Sequence, residues 1–267
     1  MSLDNLDGQI TPGDLLDLGL VTRDANGRLS NGGSITAIDF FSVKDPAYGA
    51  KGDYTHYNAA GTSITDGAIS SSSTALACAT TTPFTAADVG KWILVPGAGA
   101  AGATLATTIT AFVDSGHVTL ADAASSTVTG KTVSYGTDDT TAIAAAITAA
   151  KNAKGGIVFF PAGRYLSKEQ TVNVGGIRLV GVGFGDTGSG GFGSMLIGHP
   201  AMTGHFVTFD AADCGWDALA LNGGGYGQDG LHLTANANRF EGKVRARNAG
   251  QVGINLATSG TSIPVKF

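Results

Sequence analysis

Charge is what this chain has least of. Only 14% of its 267 residues are Asp, Glu, Lys or Arg, and the formal net charge is −5. No Lys/Arg cluster interrupts that acidic balance, which argues against nucleic-acid binding, since such binding rests on neutralising phosphates. No apolar run approaches the roughly 20 residues that span a bilayer, so membrane insertion is not expected. The stretch from Met1 to Asp7 is acidic and lacks the basic and apolar regions of a secretory signal peptide. A protein of this kind working outside a cell is expected to arrive there by another route, such as assembly on a particle released by lysis.

Cysteine is also scarce. Cys78 and Cys214 lie far apart and fit no ligand spacing for zinc or redox chemistry, so both read as small buried residues. The five histidines, His56, His117, His199, His205 and His232, are scattered. His199 and His205 can approach each other in a loop, but no carboxylate or third histidine sits at ligand spacing from them, so neither a metal nor any other cofactor is expected.

What the chain does have is glycine, 41 residues of it, and a recurring pattern of short apolar strands. Thr137-Asp138-Asp139-Thr140 opens an alanine-rich segment with Ile143 and Ile147 one turn apart, a short helix near 138–151 with a narrow apolar face. An aspartate or threonine at its start can accept hydrogen bonds from the first unpaired N–H groups. After Gly155-Gly156 the chain enters a buried strand, Ile157 to Phe160. Val207-Thr208-Phe209, Leu231-His232-Leu233 and Ile254-Asn255-Leu256 then begin at 207, 231 and 254, which is 24 and then 23 residues apart. Self-similarity at this period suggests a solenoid, and the ladder of a leucine-rich repeat is missing. Val158-Phe159-Phe160 and Leu179-Val180 extend the register upstream, around a Gly-rich excursion from Gly181 to Gly193. Intermediate strands at Leu219 to Leu221 and Val244 to Ala246 give each coil at least two strands. The fold class expected is all-β: a right-handed parallel β-helix with a single strand of chain winding through its coils.

Other parts of the chain have a different texture. Residues 1–45 carry leucines among aspartates and turn formers, too few to hold a core alone, and read as an attachment segment, with a tight turn at Asp24 to Arg28. Residues 64–135 alternate Thr, Ala, Val and Ile. Strand-like runs at 92–95, 107–113 and 117–120 are bounded by turn formers, and a flexible loop is expected at Gly97 to Ala103. That region reads as a small antiparallel β module between two parts of the helix-and-coil body, 46–63 and 136–267.

Tyr48-Gly49-Ala50-Lys51-Gly52-Asp53, then Thr137 to Ile143, then Gly155 to Tyr165, resemble the opening of pectate-lyase-like β-helix proteins. In that superfamily a Gly-Ala-x-Gly-Asp strand leads almost directly to a Thr-Asp-Asp-Thr helix that lids the first coil. Here the two halves are separated by Tyr54 to Gly136, and the run from Phe84 to Lys91 resembles insertions in bacteriophage tail proteins. The resemblance implies a tail-spike or tail-fibre-like virion protein of the phage tail. By the same analogy it forms a homotrimer, docks on other virion tail proteins by its N-terminal segment and contacts host-surface polysaccharide. A capping role for Asp138, Asp139, Ile143 and Ile147 has its own physical reason, because a bare end coil exposes unpaired backbone groups and an apolar cross-section. Asp138 and Asp139 also have the look of a catalytic pair.

Two alternatives stand beside this reading: a polysaccharide lyase or glycoside hydrolase, and a purely structural tail or baseplate component. The chain lacks the carboxylate and Gly-His-Gly combination of polygalacturonase-like hydrolases. Asp210, Asp213 and Asp217 are the densest acidic group in the coils, and their spacing suits a turn as easily as a catalytic site. Arg239, Arg245 and Arg247 interleave with Glu241 and Lys243, which suits an outward, solvated strand face. Binding without cleavage asks for less, and Trp216, Asn222 and Tyr226 surround a Gly-rich loop able to present them to a sugar. The competing reading makes Trp216 core and Tyr226 a loop anchor.

Overall fold

A computed structural model of the chain describes residues 22–23, 29–30, 39–184, 186–187, 191–234, 240–241, 244–257 and 265–266. Most of the attachment segment expected at 1–45, its Asp24 to Arg28 turn, and Arg239 and Lys243 lie outside the described residues. Thr22–Arg23 pairs antiparallel with Leu29–Ser30.

The chain is mostly β, with one α-helix among the described residues, Thr140–Asn152. Its sheets are mixed rather than uniformly parallel. Three are parallel. The first runs Phe40–Ser42, Gly156–Phe159, Ile177–Val180, Cys214–Asp217, Phe240–Glu241 and Val265–Lys266. The second runs Gly163–Ser167, Ser194–Gly198, Leu219–Asn222 and Val244–Arg247. The third runs Gln170–Val172, Val207–Phe209, Leu231–Thr234 and Ile254–Ala257. The chain visits them in turn, so each circuit contributes one strand to each sheet.

In-register rows explain which residues are buried. On the first sheet Phe41, Val158, Leu179 and Trp216 are partners across successive strands and all are buried. On the second, Tyr165, Leu196 and Leu221 align and face the same core. On the third, Val207 pairs with Leu231 and Leu231 with Ile254, the ladder expected from the 24- and 23-residue spacing. Alternate residues point the other way because successive side chains of a strand leave opposite faces.

The upstream register differs from expectation. Val207 pairs with Gln170, while Val158 and Leu179 belong to the first sheet. The circuit from Gln170 to Val207 is longer than the later ones because it includes a small hairpin, Asp186–Thr187 with Gly191–Phe192, inside the Gly-rich excursion. That extra length hides the period from a fixed-interval reading.

Residues 64–135 contribute most of a seven-stranded antiparallel sheet, ordered Ser134–Gly136, Trp92–Val95, Leu105–Asp114, His117–Leu120, Ala75–Ala77, Gly67–Ile69 and Val128–Lys131. It has its own apolar cluster, with Ile64, Leu76, Ile93, Ile109 and Leu120 at its centre. The loop expected to be flexible at Gly97 to Ala103 holds a short 3-10 turn, Ala100–Gly102, closed by Gly99 N–H donating to Ala103 O at 2.8 Å. Both cysteines are buried and free. Burial pushes the Cys78 thiol up to about 12 and that of Cys214 to about 11.

Ile143 and Ile147 are buried in the core of the parallel sheets together with Ala146 and Ala150. The helix packs on Phe40–Ser42, Gly156–Phe159 and Gln170–Val172, strands of the first and third sheets. Small alanines on that face let the helix backbone lie close to the strands.

Candidate functional site

The outward face of the second sheet is the unusual surface of this molecule. Two outward rows run across it: Arg164, Met195, Ala220, Arg245, and Leu166, Ile197, Asn222, Arg247. Each row begins with groups that are buried and ends in polar ones. Leu166, Met195, Ile197 and Ala220 form a separate apolar cluster, covered in part by Tyr54, Trp92 and Phe184. Outward apolar groups on a sheet need a partner, and the antiparallel region supplies it through Trp92.

Where that cover ends, a cleft of about 280 Å³ opens between the two parts. Tyr54, His56 and Leu94 line one wall, and Arg164, Met195, Ile197, Asn222 and Arg247 the other, with Gly224 and Tyr226 at the rim. Arg164 is only 8% exposed, with a guanidinium nitrogen 3.3 Å from His56 Nδ1 and its Cζ 5.8 Å from the centre of the Tyr57 ring. Tyr54 shares a hydrogen bond of 2.7 Å with Ser134 Oγ, and burial raises its phenol above the usual tyrosine range. Asn222 Oδ1 accepts from Gly224 N–H at 3.2 Å and from Asn248 Nδ2 at 3.0 Å, which fixes the start of the loop carrying Tyr226. Gly224 has φ +66°, and a Cβ there would sit 2.8 Å from the Tyr226 ring, so glycine is required for the ring to lie against the loop.

Of the three residues expected to meet a sugar, Asn222 and Tyr226 reach this cleft and Trp216 does not. Trp216 is 0% exposed, with Nε1 donating to Leu219 O at 2.5 Å, and it belongs to the inward row of the first sheet. A ring enclosed on both faces cannot stack on a ligand, so Trp216, contrary to that expectation, is core and offers no surface to a glycan. Arg247 was expected on a solvated face; it is half-buried in the cleft instead, while Arg245 is exposed and donates to Phe184 O at 3.2 Å.

The acidic candidates disperse. Asp210 follows the third sheet and takes a hydrogen bond from Thr234 Oγ1. Asp213 sits in the next turn with φ +56°, and Asp217 ends the strand that begins at Cys214. Asp213 and Asp217 thus stand at opposite ends of this short strand, at most about 13 Å apart along the backbone at about 3.3 Å per residue. None of the three lines the cleft.

Asp138 and Asp139 are occupied with backbone. Asp138 Oδ1 accepts from Thr140 N–H at 3.0 Å and from the Thr140 hydroxyl. Asp139, the residue before the helix, reaches away from it to accept from Lys51 N–H at 2.6 Å and Gly52 N–H at 2.9 Å. Burial, with Asp53 and Asp138 nearby, pushes the Asp139 carboxyl up to about 6 despite those two donors.

His199 and His205 stand in different surroundings. His199 is buried edge-on against Trp92, with Nε2 3.7 Å from Asp138 Oδ2, and burial holds its imidazole below the usual histidine range. His205 instead joins Asp229 and His232, from the following circuit. Sequence spacing offers His205 no carboxylate or third histidine, but the fold brings ligand atoms of Asp229 and His232 within 4.8 Å of its own. The signal was the coil period, since pairing Val207 with Leu231 also sets residue 205 opposite 229.

Residues 132–206 match the family model described as Rhamnogalacturonase A/epimerase, pectate lyase-like. Among solved structures the chain is similar to a protein of Geobacillus virus E2, ORF18, at 24% identity and a TM-score of 0.33, covering 43% of this chain and 24% of that one. No curated protein matches. The segment from residue 132 to 206, which holds the helix and the first strands of the second and third sheets, carries a pectate-lyase-like pattern.

Proposed function

We propose that this chain is a phage tail-spike or tail-fibre-like virion protein that holds host-surface glycan in the cleft between its antiparallel region and the second parallel sheet. The observation that carries the reading is the cleft lining. Tyr54 and Tyr226 offer ring faces, Asn222 offers an amide, and Arg164 and Arg247 offer fixed donors, the mixture that sugar rings and their hydroxyl or carboxylate groups require. Among the described lining residues none is a carboxylate, so the lining favours retention of the glycan over acid–base hydrolysis.

The architecture proposed with this function is a right-handed parallel β-helix formed by 46–63 and 136–267. The antiparallel module 64–135 is inserted into it, and Asp138, Asp139, Ile143 and Ile147 hold the lid of its first coil. Residues 1–45 attach the protein to other tail proteins. Homotrimers, as in similar proteins, multiply weak contacts held in fixed register.

Incubation with host capsule or cell-wall polysaccharide tests the reading, with binding and product formation followed together. Saturable binding is expected, weakened about tenfold, or about 1.4 kcal/mol, in Tyr226→Ala and in Arg247→Ala. Accumulation of reducing ends or unsaturated uronates would favour a depolymerase. Unchanged affinity in both variants would remove the cleft from the function.

A further inference from the structure

We propose that His205, Asp229 and His232 form a binding site for one divalent transition-metal ion of the zinc class. The three are brought together by coil register. His232 lies in the third sheet on the face away from the core, paired with Thr208 before it and Asn255 after it, and His205 stands one circuit upstream. Asp229 Oδ2 is 3.0 Å from His205 Nδ1 and 3.0 Å from His232 Nδ1. All three ligand atoms lie within 4.8 Å of one another. Zinc–ligand bonds of about 2.0–2.1 Å in a tetrahedral set put ligand atoms roughly 3.3 Å apart, close to this spacing.

The surroundings suit a cation. Asp229 is 2% exposed, and its carboxylate is oriented by Asn255 Nδ2, donating to Oδ2 at 2.7 Å, and by Val252 N–H, donating to Oδ1 at 3.3 Å. Partners of this kind aim a ligating carboxylate and tune its affinity. Two neutral imidazoles and one carboxylate carry a single negative charge, which a divalent ion overcompensates, leaving room for water or an anion. Access comes from the histidine side, where the His205 side chain is 28% exposed and that of His232 13%. The two rings stack 3.6 Å apart at 7°, which keeps their in-plane lone pairs in two nearly parallel planes. Binding must turn the partly exposed rings toward each other, and the ion then clips one circuit to the next.

The site lies apart from the cleft, so its test does not depend on glycan binding. The 267-residue chain, dialysed against EDTA, is titrated with zinc by calorimetry and with cobalt(II) by visible absorption. One equivalent per chain is expected, with intensified cobalt d–d bands and a melting temperature that rises to saturation with added zinc. Affinity should fall more than about tenfold in His205→Gln and in His232→Gln, each checked by its melting temperature in EDTA. The exposed pair His117 and Asp114, 2.8 Å apart at the tip of a hairpin, is the internal control. Titration of His117→Gln should match wild type. Wild-type binding no stronger than in the His205→Gln/His232→Gln double variant, or loss confined to His117→Gln, would overturn the assignment. Should a single variant fail to fold, the wild-type cobalt spectrum still decides, since its absence rejects the site.

Discussion

Asp53 and Thr137, 84 positions apart in the sequence, touch: Thr137 N–H donates to Asp53 Oδ1 at 2.8 Å and its hydroxyl to Oδ2 at 3.0 Å. Asp53 bridges in parallel to Arg164, and Asp138 bridges to Leu166, two residues further along the same strand. The chain therefore leaves the second sheet at one rung and returns beside it. Burial alone would raise the Asp53 carboxyl, but Lys91 at 2.8 Å and the Thr137 donors outweigh it and hold the group below the usual aspartate range.

Joining Asp53 to Thr137 directly, without residues 54–136, should leave the parallel sheets folded while uncovering Leu166, Met195, Ile197 and Ala220. Parallel-sheet circular dichroism should persist with strong dye binding and self-association in gel filtration. Met195→Lys together with Ile197→Thr should reverse the association. A shortened chain that stays monodisperse without those changes would show that the antiparallel region is not the cover of that face.

The Asp139 carboxyl gives a pH signature. Its folded pKa, about 6, is above the unfolded value near 3.8, so the native state binds the extra proton between them. Stability from this group is therefore present below about pH 4 and lost as pH rises through 6, with an upper bound of about 3 kcal/mol. Melting temperatures across pH 4–6 should slope downward with pH on this account, and the slope should flatten in Asp139→Asn. An identical slope in wild type and variant would locate the proton elsewhere.

Trp216 and Tyr226 should separate folding from binding. Trp216→Ala removes a fully buried ring and the donor to Leu219 O, and is expected to cost about 3–5 kcal/mol in denaturant unfolding. Tyr226→Ala removes a half-buried ring that rests against the edge of the same core and should cost less, about 1–2 kcal/mol, while weakening glycan binding. Equal destabilisation by both would make Tyr226 a packing residue.

Gly52 has φ +59°, and a Cβ placed there would lie 2.7 Å from the Tyr165 ring. Gly52→Ala combines a left-handed backbone with overpacking, so a loss of about 2–4 kcal/mol is expected by chemical denaturation. Tyr165→Leu in the same chain should recover only the steric part. A Gly52→Ala chain as stable as wild type would mean that the loop carrying Asp53 can move, which would also weaken the Asp139 contacts to Lys51 and Gly52.

Local pattern made much of the fold legible. Val207, Leu231 and Ile254 stand in one ladder because a constant circuit length turns register into spacing, and the strands at 92–95, 105–114 and 117–120 follow from alternation and turn formers. The third sheet's upstream partner, Gln170, was hidden by the hairpin that lengthens its circuit. Tyr226 and Asn222 are visible beside a Gly-rich loop, whereas Tyr54 and His56 meet Arg164 in the same cleft from more than a hundred residues upstream of it, with no periodicity to join them. Trp216 misleads because an aromatic next to aspartates and glycine reads as exposed, and only its row with Phe41, Val158 and Leu179 reveals the enclosure.

The adjacent exit and re-entry points at Asp53 and Thr137 have a consequence for how such a chain can change. A segment whose two ends meet on neighbouring rungs imposes no offset on the strands below it. It can be lengthened, shortened or exchanged for another without altering the winding that follows. Only the greasy patch beneath it, from Leu166 to Ala220, must be matched by the newcomer, so the segment and the scaffold can diversify on separate schedules.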